Sequence, residues 1–141
     1  MSSSGTANER LLRVAAGGDY FGVLSEMLVP DIEINSYDSM GRTSLMLACN
    51  SGNENITIQL LRGNADPCRK DRYGRTAIHY AARRNNTSAL HALLFHEKSG
   101  AVIDAVDRNG ESPLKVAIES GAGAAVALLI FYGAEDLLKS Y

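Results

Sequence analysis

The side chains best suited to catalysis in this chain are three histidines, His79, His91 and His96, and two cysteines, Cys49 and Cys68. Their spacing does not build a reaction centre. His91 and His96 are five apart, whereas residues sharing a helix face are three or four apart. A zinc site on that pair would need cysteine ligands, and Cys68 stands well upstream, before the next turn. Neither cysteine has a base placed to make it a nucleophile. Gly17-Gly18, Gly63 and Gly121-Ala122-Gly123 lack the Lys-Ser/Thr that completes a phosphate loop. The reading is a protein that is not an enzyme, with no cofactor and no metal ion.

Arginine carries the more informative chemistry. Residues 41–93 hold eight basic side chains against three acidic ones, a net +5. Residues 1–40 carry −4 and residues 94–141 carry −3, so a chain of net charge −2 has a basic centre. Guanidinium groups pair with carboxylates through parallel hydrogen bonds. Such a field steers an acidic peptide or acidic protein surface toward the middle of the chain. A phosphorylated peptide is the alternative with the same chemistry. Nucleic acid is disfavoured, because the chain as a whole is not basic and has no zinc finger or basic arm.

The elements that position these arginines are repeated. Gly41-Arg42-Thr43-Ser44-Leu45-Met46-Leu47-Ala48 returns at Gly74 and again at Gly110, after 33 and 36 residues. Ala15, Ala48, Ala81 and Ala117 extend the register to a fourth, earlier unit, which lacks its own leading Gly-Thr signature. Repetition at this period means a stacked solenoid. Each unit opens on a turn: Asp38-Ser39-Met40-Gly41, Asp71-Arg72-Tyr73-Gly74, Asp107-Arg108-Asn109-Gly110. Asp bonds its own backbone in such turns, and Gly accepts positive φ. Thr43, Thr76 and Ser112 then cap helices over roughly 44–50, 77–84 and 113–120, with Pro113 suited to a first helical position.

Second helices run through Ile56, Ile58, Leu60 and Leu61, then Leu90, Leu93, Leu94 and Phe95, then Val126, Leu128, Leu129 and Ile130. Asn64, Gly100 and Gly133, with Asp31 in the first unit, are the expected left-handed stops. Three extra residues before Gly100 either lengthen the second helix of the third unit or bulge at its end. Helices this short do not persist alone in water, so stacking must hold them.

This pattern resembles the ankyrin repeat family. The family's Thr-Pro-Leu-His-x-Ala signature is echoed by Thr76-Ala77-Ile78-His79-Tyr80-Ala81, by Thr43 to Ala48 and by Ser112-Pro113-Leu114 to Ala117. Its Leu-Leu-x-x-Gly-Ala-Asp segment is echoed by Leu60 to Asp66 and by Leu129 to Glu135. The resemblance implies an all-α solenoid of helix-turn-helix units, linked by β-hairpin-like loops, with a concave binding face. Residues 1–7 are then a flexible tail, and one domain covers 8–141 in units of about 8–37, 38–70, 71–106 and 107–138.

It also implies that His79 bonds neighbouring backbone and ties units together. Cys49 then falls in an inner helix as a small core residue. The exposed tips and inner-helix ends would be the partner-binding residues: Met40, Arg42, Arg72, Tyr73, Arg75, Arg83, Arg84, Arg108, Asn109 and Glu111. The expected role is protein binding, as an adaptor or scaffold or, alternatively, as a steric inhibitor of a partner enzyme. Phe131 and Tyr132 either seal the last core or meet a partner there, a second copy included. No stretch is long and apolar enough to span a bilayer, Ala122 to Tyr132 being the nearest approach. Without a secretory signal, the expected location is intracellular, cytoplasmic or nuclear.

Overall fold

The computed structural model describes residues 5–134. The first four residues of the expected tail and the end of the last expected unit lie outside the described residues. Four helix pairs follow one another: α1 (Ala7–Gly17) and α2 (Tyr20–Met27), α3 (Ser44–Ser51) and α4 (Glu54–Arg62), α5 (Ala77–Arg83) and α6 (Thr87–Phe95), α7 (Pro113–Glu119) and α8 (Gly123–Phe131). The inner helices α1, α3, α5 and α7 pack in series, and the outer helices α2, α4, α6 and α8 pack in a parallel series behind them. Among the described residues the extended pairing is limited to an antiparallel bridge between Tyr37 and Thr43. This is the stacked solenoid that the repeat period implies, in the all-α form that the family resemblance implies.

The core lies between the two series. Ala15, Ala48, Ala81 and Ala117 are each fully buried, where each inner helix approaches the next. A side chain larger than a methyl there would force neighbouring units apart. Leu11, Leu45, Ile78 and Leu114 fill the space beside them, and Val23, Ile56, Leu60, Leu90, Leu93 and Leu129 close it from the outer helices.

Caps set the inner helix starts. Thr43 Oγ1 accepts from Met46 N at 3.3 Å and Ser112 Oγ from Lys115 N at 3.2 Å. The first unit has a cap as well. Thr6 Oγ1 accepts from Glu9 N at 3.1 Å, and Gly5 before it has φ +70°. The Gly-Thr pair that this unit was expected to lack therefore lies within the expected tail. It sits nine residues before Ala15 rather than five, so α1 begins about one turn early.

Asp31, Asn64 and Gly133 are left-handed as expected, at φ 61°, 71° and 101°. Gly100 is not. It lies in a short 3-10 turn, Ser99–Ala101. Helix α6 has nine residues, as does α4, and ends where His96 turns extended (φ −67°, ψ 134°). The inserted residues therefore bulge and do not lengthen the helix. Ser99 Oγ donates to Leu93 O, and Cys68 Sγ donates to Lys98 O at 3.3 Å, which pins the bulge to the preceding unit. At the far end Leu129 is buried and Tyr132 packs on the core, but Phe131 is exposed and does not seal it.

Glycine is required most strictly at position 41. Its φ is +77°, and an added Cβ would come within 3.0 Å of the Arg72 backbone N. Gly110 has φ +73° but open space around it. Gly110→Ala should therefore lose about 1 kcal/mol, the cost of the left-handed backbone alone. Gly41→Ala should lose more, because two tips must also move apart. Urea denaturation of the two variants checks the order.

Candidate functional site

Three aspartates build the tips. Asp38 Oδ1 accepts from Met40 N and Arg42 N, each at 2.9 Å. Asp71 Oδ1 does the same for Tyr73 N and Arg75 N at 2.8 and 2.9 Å, and Asp107 Oδ1 for Asn109 N and Glu111 N at 2.9 and 3.0 Å. The tips are also bonded to each other. Arg72 N donates to Met40 O and Arg108 N to Tyr73 O, each at 2.9 Å. The outward side chains thus stand on a continuous, cross-linked backbone rather than on separate loops.

The second oxygen of each aspartate has a different fate. Asp38 Oδ2 takes Arg42 Nε at 2.9 Å. Asp71 Oδ2 accepts the Tyr80 hydroxyl, and both side chains are buried. Burial and this bond raise the phenol's pKa, so Tyr80 stays neutral. Asp107 Oδ2 makes no hydrogen bond among the described residues, since Val116 stands where the preceding unit has Tyr80.

Four of the expected partner residues meet around Tyr80 and Asn50. The Arg75 guanidinium carbon lies 5.0 Å from the Tyr73 ring centre and 5.9 Å from that of Tyr80. Arg83 approaches the Tyr80 ring to 5.3 Å. Arg83 Nη2 and Arg84 Nε both donate to Asn50 Oδ1 at 3.3 Å. Partial burial, with the nearby charges of Arg75 and Arg84, lowers the Arg83 pKa. Among the described residues Arg75, Arg83 and Arg84 form no ion pair.

The other expected residues are placed differently. Arg72 is exposed and lines a separate groove of about 370 Å³ with Arg69, Lys70, Tyr37 and Ser39. Arg42 is held by Asp38, and Met40 is half-buried with its carbonyl engaged by Arg72. Arg108 and Asn109 are exposed at the last tip. Glu111 lines a second groove, about 160 Å³, together with Arg75, His79, Tyr80, Arg83, Asp107, Val116 and Glu119. Residue spacing did not single out Arg69 and Lys70, although a basic pair directly before a turn aspartate was a visible signal.

A family model described as ankyrin repeats, in three copies, matches residues 11–107 and again 58–139. The chain belongs to the ankyrin repeat family. The B-cell lymphoma 3 protein homolog of Mus musculus is 32% identical over 116 residues, 82% of this chain and 26% of that protein. The nuclear factor NF-kappa-B p105 subunit of Rattus norvegicus is 31% identical over 117 residues, 83% of this chain and 12% of the relative. The tyrosine-protein kinase HTK16 of Hydra vulgaris is 31% identical over 76% of this chain and 14% of its own length. The chain thus spans about a quarter or less of these relatives. Ankyrin repeats are protein-interaction modules rather than catalysts, and proteins with dissimilar names share them.

The ankyrin histidine does what the resemblance implies. His79 Nδ1 accepts from Thr76 N at 3.1 Å, so the ring proton sits on Nε2, which donates to Glu111 O in the next unit at 2.8 Å. Neither His91 nor His96 takes part in this tie. His91 Nδ1 bonds the Tyr132 hydroxyl at 3.0 Å, and His96 Nδ1 accepts from Lys98 N at 3.2 Å. Cys49 is fully buried and its thiol pKa is pushed up to about 12 by that burial, as suits a packing residue. Among the described residues no cluster of His, Cys, Asp or Glu could hold a metal ion, and no helix is long and apolar enough to cross a membrane.

Burial holds the His79 pKa below its usual 6.5, against the opposing pull of the Glu111 carbonyl. The unfolded chain therefore binds the proton first as pH falls. Stability from this group is full above about pH 6.5 and declines below it. His79→Ala should cost about 1–3 kcal/mol at pH 8 and flatten that decline. Unfolding free energies measured from pH 8 to 5 check both. A second expectation is that iodoacetamide leaves Cys49 unmodified in the native protein at pH 8 and alkylates it in urea, as peptide mapping would detect.

Proposed function

We propose that this chain binds an acidic peptide or acidic protein surface through its tips and inner-helix ends. The contact would centre on Arg72, Tyr73, Arg75, Arg83 and Arg84, with Arg108 and Asn109 beside them. One observation carries the reading: among the described residues, Arg72, Arg75, Arg83, Arg84 and Arg108 make no ion pair with a carboxylate, whereas Arg10, Arg42 and Arg69 do. An arginine already paired gains little from a partner's carboxylate. The unpaired ones gain by it, and Tyr and Arg are the residue types that anchor protein interfaces.

The bonded tips support the reading, because a surface that does not rearrange pays less ordering entropy on binding. Membership in a family of protein-interaction modules supports it as well. An intracellular location, cytoplasmic or nuclear, belongs to the same proposal and fits two unpaired cysteines. The role is that of an adaptor or, alternatively, of a steric inhibitor that covers a partner enzyme. An adaptor holds two different proteins at once. An inhibitor forms a simple pair and removes the partner's activity.

The test is Arg75→Glu with Arg83→Glu, compared with wild type in affinity purification from the native cells and then in calorimetry on the recovered partner. Circular dichroism and Tm should barely change, since neither arginine is in an ion pair. Partner affinity should fall by at least about 2 kcal/mol, with a smaller loss at high salt. Undiminished affinity overturns the proposal.

A further inference from the structure

The groove between α5 and α7 is not simply basic. Its α5 wall carries Arg75 and Arg83, and its α7 wall carries Asp107, Glu111 and Glu119. Position 111 is where the second and third units have Arg42 and Arg75, so the last unit reverses the sign they carry at that site.

The second unit displays the interaction that the last unit lacks. There Arg42 Nε donates to Asp38 Oδ2 at 2.9 Å. In the last unit Asp107 is 7% exposed, its Oδ1 is fully used by two backbone N–H groups, and its Oδ2 makes no hydrogen bond among the described residues. Tyr80 supplies a hydroxyl to the matching oxygen of Asp71, and Val116 in its place supplies none. An oxygen that the same turn fills once with a guanidinium and once with a phenol therefore faces a groove. Glu111 and Glu119 stand beside it, close enough that their contact raises the Glu111 pKa.

We propose that this groove takes an extended partner segment bearing two opposite charges. An acidic side chain lies against Arg75 and Arg83. A basic one, best an arginine, lies against Asp107, Glu111 and Glu119, as Arg42 lies against Asp38. Adjacent helix axes are about 8–10 Å apart, and an extended chain rises about 3.3 Å per residue. The two side chains are then about three positions apart. This rests on the proposed binding role and narrows its partner from acidic to paired acidic and basic.

The test uses fluorescent ten-residue Gly-Ser peptides and anisotropy at low salt on the whole chain. One set carries Asp and Arg three apart, in either order. A second carries two Asp, and a third carries two Arg. At least one mixed peptide should bind about tenfold more tightly than the two-Asp peptide. Glu111→Arg with Glu119→Lys should erase that gain and favour the two-Asp peptide. The fold should survive, because Glu111 serves it through its backbone carbonyl and N–H. Asp107→Asn, which keeps Oδ1 as an acceptor, should reduce the gain without reversing it. A two-Asp peptide binding wild type as tightly as the mixed ones overturns this inference and leaves the acidic-partner reading standing. No binding by any peptide, together with an Arg75→Glu, Arg83→Glu variant that keeps its cellular partner, overturns both.

Discussion

Close approach between neighbouring inner helices is the constraint on which the molecule depends. Helices of seven to eleven residues gain too little from their own hydrogen bonds to persist in water. They persist here because each lies between neighbours, with only a methyl group at the contact: Ala15, Ala48, Ala81 and Ala117. That contact fixes the spacing of the units, and the spacing lets one tip's backbone bond the next. It also brings His79 within reach of the Glu111 carbonyl. A chain with the same turns but larger residues in that register would have no continuous surface to offer.

Within that frame each turn aspartate does two jobs. Its first oxygen holds the turn by the same pair of backbone bonds in three successive units. Its second oxygen is released to whatever the side chains nearby supply. The structural half of the carboxylate is therefore constant, and the variable half differs from unit to unit. Function on a repeat scaffold can change in this way without disturbing the fold, since substitutions at positions such as 42 and 111 alter the surface and leave the stack intact.

The same separation explains why family membership says less about role than about architecture. Relatives named as a nuclear factor subunit and as a tyrosine-protein kinase share this stretch at about 31% identity. The third unit alone gathers Arg72, Tyr73, Arg75, Arg83 and Arg84, on which the proposed partner choice rests.

Repeat period, turn aspartates, caps and the buried alanine register were all legible in the chain, because each depends on interactions within a few residues or on a spacing that recurs. Helix limits near 44–50, 77–84 and 113–120 fell within one residue of those observed for the same reason. Gly5-Thr6 was missed because α1 starts one turn earlier than the period suggests. Gly100 was misread because an insertion replaced a left-handed stop with a bulge. Only the packed structure decided which arginines are spent on local carboxylates. Asp38 and Arg42 share one turn, but Asp71 is claimed by Tyr80 nine residues on, and Arg83 meets Asn50 across the unit boundary. Pairing between side chains far apart in sequence depends on rotamers and on the distance between units, and neither is written in the order of the residues.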